Sequence, residues 1–382
     1  MNGRRVAIVG VGYSTVGRRL GVPVELLCAQ ASVAAMQDAG VTPRDLDGLV
    51  IHSFVPEYVS AFRTADMIGI PDLGFFSSNA DGSAYSMAAL IGAAAVASGS
   101  TDMCITLRPI MQSTATGASV ERQAAESFVS GPNEFLAPYG DISGAHWAGM
   151  YMQRTMYEYG FTEEMFGALA VAQREYAVDN PEAIMRSPIT MEDYLASRYI
   201  NKPLRLFDCD YPVDSCSALI FTTEERARDL AHKPVFFESW AMGTVNPGDF
   251  NLVESMPRSS TYAAANRMWA KTDLKPADVD ITGLYDGFTF ITLQWIEALG
   301  FCGEGESGPF VLEGNTRRDG KLPTNTDGGA CNMGRRHGAN FFIEVTRQLR
   351  GECGERQIPG VEVGAVSNSV GGFTACALLT AG

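Results

Sequence analysis

Several short stretches of the 382-residue chain carry groups suited to moving protons or holding an oxyanion. Tyr285-Asp286 ends an apolar run. A phenol is a weak base near neutral pH, with an ordinary pKa of about 10, so Tyr285 needs a neighbouring cation or a water to take up a proton. Otherwise it ends a strand with its hydroxyl hydrogen-bonded. Asp286 either caps the helix that follows or orients Tyr285. Arg335 and His337 stand in Gly334-Arg335-Arg336-His337-Gly338. Arginine cannot act as a general base, but it can hold an anionic oxygen or lower the pKa of Tyr285. His337 can do acid–base work, or it is bonded to backbone in a Gly-rich loop. Beyond Asn368-Ser369, Gly371 and Gly372 bring backbone N–H groups close to a ligand. Gly82 and Ser83 stand where an Ala-rich helix begins; Ser83 is its cap or a nucleophile, and Gly82 serves the turn or opens space.

Other chemistry finds little footing. Gly10-Val11-Gly12 lacks the third glycine and the spaced acidic residue of a dinucleotide site. No His/Cys/Asp/Glu cluster has metal-ligand spacing, so no cofactor is expected. The eight cysteines include no CxxC pair, and Cys104 and Cys376 lie in apolar runs as buried thiols do. A reduced cytoplasm is the simplest setting. A net charge of −15 opposes a nucleic-acid partner, although a local Arg cluster can still receive the phosphate of a nucleotide-bearing ligand. No signal-peptide pattern opens the chain, and the longest apolar run, 87–97, is too short to span a bilayer.

The elements that must position these residues alternate between strand and helix. Residues 6–10 read as a buried strand, and apolar positions from Val24 follow helical spacing up to Gly40. Further strands are expected at 48–52, around 75–77 and at 102–107, with a helix over 83–97. The second half repeats the plan: strand 233–238, helix 262–271, strand 281–285, helix 339–349, strands 361–366 and 373–380. Pro43, Asp45 and Asp47 match Pro276, Asp278 and Asp280 at one fixed offset, which reads as a duplication or as one common turn used twice. Near-continuous apolar strands in both halves imply buried sheets covered by helices. Residues 111–199 break the pattern; they are helical and aromatic, as a cap over a cleft or an oligomer contact would be. The expected division is therefore 1–110 with 200–230, a cap at 111–199, and 231–382.

This plan resembles the thiolase superfamily, and particular stretches carry the resemblance. Leu206-Phe207-Asp208-Cys209-Asp210 with Asp214-Ser215-Cys216-Ser217-Ala218 is similar to the region that closes the first half of a thiolase. Leu284-Tyr285-Asp286-Gly287-Phe288 resembles the Asn-Glu-Ala-Phe motif. Pro323 to Gly329 with Gly334 to Gly338 resembles the Gly-rich stretch ending in Gly-His-Pro, and Arg347 to Gly351 and Asn368 to Gly372 complete the set. Within the superfamily the chain looks most like the lipid-transfer-protein-like, sterol-carrier-protein-X-related branch, which includes steroid side-chain retro-aldolases.

The resemblance implies an α/β, duplicated thiolase fold in a five-layer αβαβα arrangement with a helical cap insertion. It implies a CoA thioester as substrate, a homodimer, and an OB-fold, zinc-ribbon-bearing partner protein. The nucleophilic cysteine of thiolases would fall on Gly82, and the second cysteine in the loop after Asn368; both are absent. Gly82 then leaves room for a substrate branched at Cβ. Without an acyl-enzyme, the reaction implied is retro-aldol cleavage of a β-hydroxyacyl-CoA, with Tyr285 first for the proton work, since retro-aldolases of the branch carry a Tyr-Asp pair there. Arg335 departs from both patterns: it takes the place of the thiolase histidine, where the retro-aldolases have a second tyrosine. It would hold an enolate oxygen, a substrate carboxylate or a CoA phosphate, leaving acid–base work to His337. The alternatives are a C-acyltransferase or Claisen-condensing subunit that relies on a partner, and a non-catalytic scaffold subunit.

Overall fold

The computed structural model describes residues 3–53, 58–79, 85–114, 133–140, 143–245, 255, 259–369 and 372–382. Gly82, Ser83 and Gly371 lie outside the described residues. The strands are β1 (Val6–Tyr13), β2 (Gly48–His52), β3 (Phe75–Asn79), β4 (Met103–Met111), β5 (Tyr199–Asn201), β6 (Leu204–Arg205), β7 (Asp214–Thr223), β8 (Val235–Thr244), β9 (Ile281–Gly283), β10 (Val363–Asn368) and β11 (Phe373–Ala381). β5 and β6 form a small ribbon; the other nine share one hydrogen-bonded order, β3-β2-β4-β7-β1-β8-β11-β10-β9. β2 is parallel to β3 and β4, and β9 to β10, while β7 and β11 run antiparallel to their neighbours.

The order mirrors itself about the β1–β8 seam, where Ala7 and Ile8 pair with Phe236 and Val235. The matching Pro-x-Asp-x-Asp turns do matching work on the two sides. Asp45 accepts from Thr42 N at 2.8 Å and Asp278 from Lys275 N at 2.7 Å, each closing a single 3-10 turn. Asp47 accepts from the N–H groups of Asp102 and Met103 where β4 begins; Asp280 accepts from Glu362 and Val363 where β10 begins. Each aspartate satisfies strand-end donors that the ladder leaves over.

Helices cover the strands on both sides and between them. The helix Val24–Ala39 lies on the outer face of the first strand set, with Leu27, Ala31 and Ala35 against Ala7, Val9 and Ile51. It lies so close that a Cβ at Gly10 or Gly12 would strike the backbone of Ala35. Those two glycines serve helix–strand contact, not a nucleotide. Gly243 of β8 plays the same part beneath the helix Ser260–Trp269. The helices Tyr85–Ser98 and Ala339–Arg350 each touch strands of both sets and form the middle layer, where Tyr85 meets Phe342 edge-on at 6.1 Å. The five expected layers are thus present. Between β4 and β5 the chain forms the helices Gly144–Tyr159, Glu163–Val178 and Met191–Ala196. Among the described residues no helix is long and apolar enough to cross a membrane.

Candidate active site

Parallel α/β sheets offer ligand sites at the carboxyl ends of their strands. Here those ends carry His52 on β2, Arg108 on β4, Tyr285 just beyond β9 and Asn368 on β10. β9 is shorter than the sequence suggests, ending at Gly283. The reason is Asn325, whose side-chain amide takes both backbone groups of Leu284, accepting at 2.7 Å and donating at 2.8 Å. With the ladder replaced by an amide, the chain turns and Tyr285 leaves the strand, its N–H donating to Ser367 Oγ at 3.2 Å. β4, by contrast, runs on to Met111 past Arg108-Pro109. β2 pairs with it only as far as Leu107, so Pro109 sits where no donor is required on that side.

Tyr285 is buried, 6% exposed, and its ring folds back so that a Cβ at Gly287 would meet the hydroxyl. Burial raises its pKa, Asp210 and Asp286 add to the rise, and Arg335 and Arg108 only partly oppose it. Arg335 therefore does not turn Tyr285 into a resident base; the group is a phenol at neutral pH. Nor does Arg335 stand ready for a phosphate or carboxylate. Its Nε donates to Asp210 Oδ2 at 2.6 Å and a second nitrogen lies against Oδ1. Burial works against the Arg335 charge, but the Asp210 carboxylate outweighs it and holds the pKa above the ordinary value. Asp210 is in turn pushed up by burial, partly offset by Arg335.

Asp286 caps a helix, but not the one that follows it in the chain. Its Oδ1 accepts from Ala330 N at 2.8 Å, at the start of the short helix Gly329–Met333. The helix Thr289–Ala298 instead meets Asp208, through Thr289 Oγ1 at 2.6 Å. Burial pushes Asp286 up to about 8, against the Ala330 hydrogen bond and with the help of Asp327 and Asp210. At neutral pH it is a neutral acid. Gly329 lies so close that a Cβ there would collide with Asp286 Oδ2.

His337 is 3% exposed, with its backbone in the left-handed region at φ 48°. Its Nδ1 is in contact with Arg108 Nη2. Burial, then Arg108, Arg335 and His52, hold its pKa well below the ordinary value, so it offers no imidazolium for acid catalysis. Asn368 Nδ2 donates to the His337 carbonyl at 3.0 Å. Gly372 uses its carbonyl, which accepts from Thr244 Oγ1 at 2.7 Å and joins β8 to β11. Trp295, wholly buried, ties the same loop down by donating to the Ser369 carbonyl at 3.0 Å.

Sequence reasoning missed four participants. Arg108 was hidden by the apparent end of its strand, and His52 by its apolar run. Asp210 lies in a stretch singled out for the fold but is 125 residues from its partner. Cys331 lies beside Asp286, its thiol donating to the Asp286 carbonyl at 3.4 Å. Burial, Asp286 and Asp210 push that thiol far up, which is the opposite of what a nucleophile needs. The helix Gly144–Tyr159 packs on the core through aromatic rings: Trp147 meets Phe288 edge-on at 5.7 Å, and Tyr151 stacks on Phe290 at 6.1 Å. His146, on the same helix, faces a surface cleft of about 620 Å³ with Tyr139, Arg154, Tyr157 and Lys202. Among the described residues no His/Cys/Asp/Glu group is placed to hold a metal ion.

The chain as a whole is similar to proteins already known. Residues 249–380 match the family described as thiolase C-terminal domain-like. The chain is 36% identical over 370 residues, 94% of each protein, to the 17-hydroxy-3-oxo-4-pregnene-20-carboxyl-CoA lyase of Mycobacterium tuberculosis. It is 35% identical over 356 residues, 90% of each, to the steroid side-chain-cleaving aldolase of Thermomonospora curvata. The solved Ltp2-ChsH2(DUF35) aldolase superposes with a TM-score of 0.87 at 32% identity, over 100% of this chain and 98% of that one. Fold, motifs and relatives converge: the chain belongs to the thiolase superfamily, in its lipid-transfer-protein-like, sterol-carrier-protein-X-related branch.

Proposed function

We propose that this protein is a carbon–carbon lyase that cleaves a β-hydroxyacyl-CoA of the steroid side-chain type by a retro-aldol reaction. The products are acetyl- or propionyl-CoA and a ketone or aldehyde, with no covalent acyl-enzyme. The observation that carries this reading is the buried, neutral Tyr285, followed in the chain by Asp286, whose carbonyl meets a Cys331 thiol that burial and carboxylates keep protonated.

Retro-aldol cleavage needs no net proton. The β-hydroxyl loses one, the Cα–Cβ bond breaks to give the carbonyl product and an acyl-CoA enolate, and Cα gains one. A phenol can serve as relay, passing its proton to Cα and receiving that of the β-hydroxyl, so that it ends as it began. Tyr285 therefore need not be ionised.

On this reading residues 1–110 with 200–230 and residues 231–382 are the two halves, and 111–199 is the cap. A homodimer is supported by the outermost strand β3, where Phe76 is 49% exposed and packs on Phe62, itself 61% exposed. The aldolase of known structure is paired with ChsH2(DUF35), and an OB-fold partner is proposed here likewise. A reducing cytoplasm suits the eight free cysteines. The test is incubation of the protein, alone and with such a partner, with branched β-hydroxyacyl-CoA thioesters. Release of the short acyl-CoA with an equimolar carbonyl product is expected. Acyl transfer to CoA or to a protein thiol, with no carbonyl product, overturns the reading.

A further inference from the structure

Arg336 stands between Arg335 and His337 in the Gly-rich loop and is 1% exposed. Its guanidinium lies over the Tyr13 ring at the end of β1, with Cζ 3.9 Å from the ring centroid. Nε and Nη1 are both buried and have no hydrogen-bond partner. Other guanidiniums of the chain are provided for. Arg335 meets Asp210, Arg347 meets Glu182 and Arg350 meets Asp38. Arg174 donates instead to Asn332 Oδ1 and to the Ser187 carbonyl.

An arginine cannot shed its charge, so burial without a counter-ion or acceptors is strongly unfavourable. The negative groups around Arg336 are committed elsewhere. Glu182 accepts from Arg347 Nη1 at 2.6 Å, and Asp327 accepts from Gly329 N and Asn340 Nδ2, each at 2.8 Å. Tyr13 does not supply the charge as a phenolate, because burial raises its pKa far above the ordinary value against the pull of Arg336. Hydroxyl donors gather on the same face. Tyr13 is directly opposite Ser217 in the β1–β7 ladder, and Ser215 lies two residues away, so the three side chains share one face of the sheet. The Ser215 and Ser217 hydroxyls are buried and likewise have no partner. A water would satisfy donors here and leave the charge; a monovalent anion answers both. We propose that Arg336 is the main ligand of a site for a small monovalent inorganic anion, set between the Gly-rich loop and the end of β1. The Arg347–Glu182 pair, whose guanidinium lies 5.4 Å from the same ring and whose side chains are 24% and 38% exposed, marks the side of exchange with solvent. The bound anion ties the loop that carries Arg335 and His337 to β1. The site does not depend on the lyase reading.

Thermal unfolding of the wild-type protein is followed while sodium chloride replaces sodium gluconate at constant ionic strength. Gluconate screens charge equally but is too large for an enclosed site. A saturable rise in Tm of about 2 °C or more, specific to chloride, is expected, and Arg336→Met should abolish that response whatever its own Tm. Equal melting in the two salts, or the wild-type response in Arg336→Met, overturns the proposal. Wild-type crystals soaked in sodium bromide give a second arm that stands even if the Met variant fails to fold. An anomalous peak within about 3.5 Å of Arg336 Nε or Nη1 is expected. The absence of a peak overturns the proposal, and so does a peak without the chloride-specific rise, which is binding at crystal concentration only. Neither arm uses a substrate. Both expected results in a protein that cleaves no β-hydroxyacyl-CoA therefore keep the anion site and sink the lyase reading.

Discussion

Asp210 and Arg335 form an ion pair in the site, with Arg335 Nε 2.6 Å from Asp210 Oδ2. The two are unequally placed: the Asp210 side chain is 1% exposed and that of Arg335 26%. That inequality makes the pair asymmetric under mutation.

Arg335→Met strands a buried carboxylate and should cost roughly 3–5 kcal/mol of stability. Asp210→Asn leaves an arginine that can reach water and should cost about 1–2 kcal/mol. In Arg335→Met the Asp210 pKa rises further, so the folded state binds its proton more tightly than the unfolded one and stability should recover as pH falls towards 4. Urea midpoints at pH 5 and 8 measure all of this. Equal losses in the two variants would show that Asp210 is not buried as described.

Tyr285→Phe removes the relay and keeps the ring. Its kcat should drop by about 10²- to 10⁴-fold while the urea midpoint stays close to that of wild type. Because burial raises the Tyr285 pKa, the wild-type rate should show no tyrosine limb between pH 7 and 9. Near-wild-type turnover in the variant removes Tyr285 from the chemistry.

Asp286 gives a pH signature of the opposite kind to an ordinary carboxylate. Its folded pKa, about 8, lies above the ordinary 3.8, so folding favours the protonated form. Stability from this group is therefore complete at low pH and is lost as pH rises through about 8, by up to about 1.4 kcal/mol per unit. Asp286→Asn lacks the effect, so wild type should lose stability relative to it between pH 5 and 9. A gain over that range would contradict the burial of Asp286.

Gly338 has φ 88°, and a Cβ there would strike Asn368 Nδ2. Gly338→Ala should therefore break the Asn368–His337 hydrogen bond as well as strain the backbone, at a cost of about 2–4 kcal/mol together. Gly351, also at positive φ but with open space around it, is the control and should lose only about 1 kcal/mol as Ala. Equal losses at the two positions would mean that the collision is relieved cheaply.

Most of the fold was legible because it rests on local pattern. Gly48–His52 was read to the residue from its apolar run and flanking turn, and the Pro-x-Asp-x-Asp repeat pointed to the mirrored halves. The site was less legible because its contacts are between elements far apart in sequence. Tyr285 could be found at the end of a strand, but the Asn325 amide that ends the strand is 41 residues on. Arg108 was missed because an arginine followed by proline looks like the end of β4; only knowing where β2 stops pairing shows otherwise. Asp286 was given the wrong helix because sequence proximity favours Thr289 and space favours Ala330. Arg335 kept its charge in the reading and loses its freedom in the structure, since nothing local announces Asp210.

His337 takes its ring contact from β4 of one strand set and shares its carbonyl between Tyr85 of the middle-layer helix and Asn368 of the other strand set. Neither set can therefore present this histidine correctly by itself. Warming that loosens the β1–β8 boundary would silence turnover while each set kept its own hydrogen-bonded ladder, and inactivation would run ahead of the loss of helix signal.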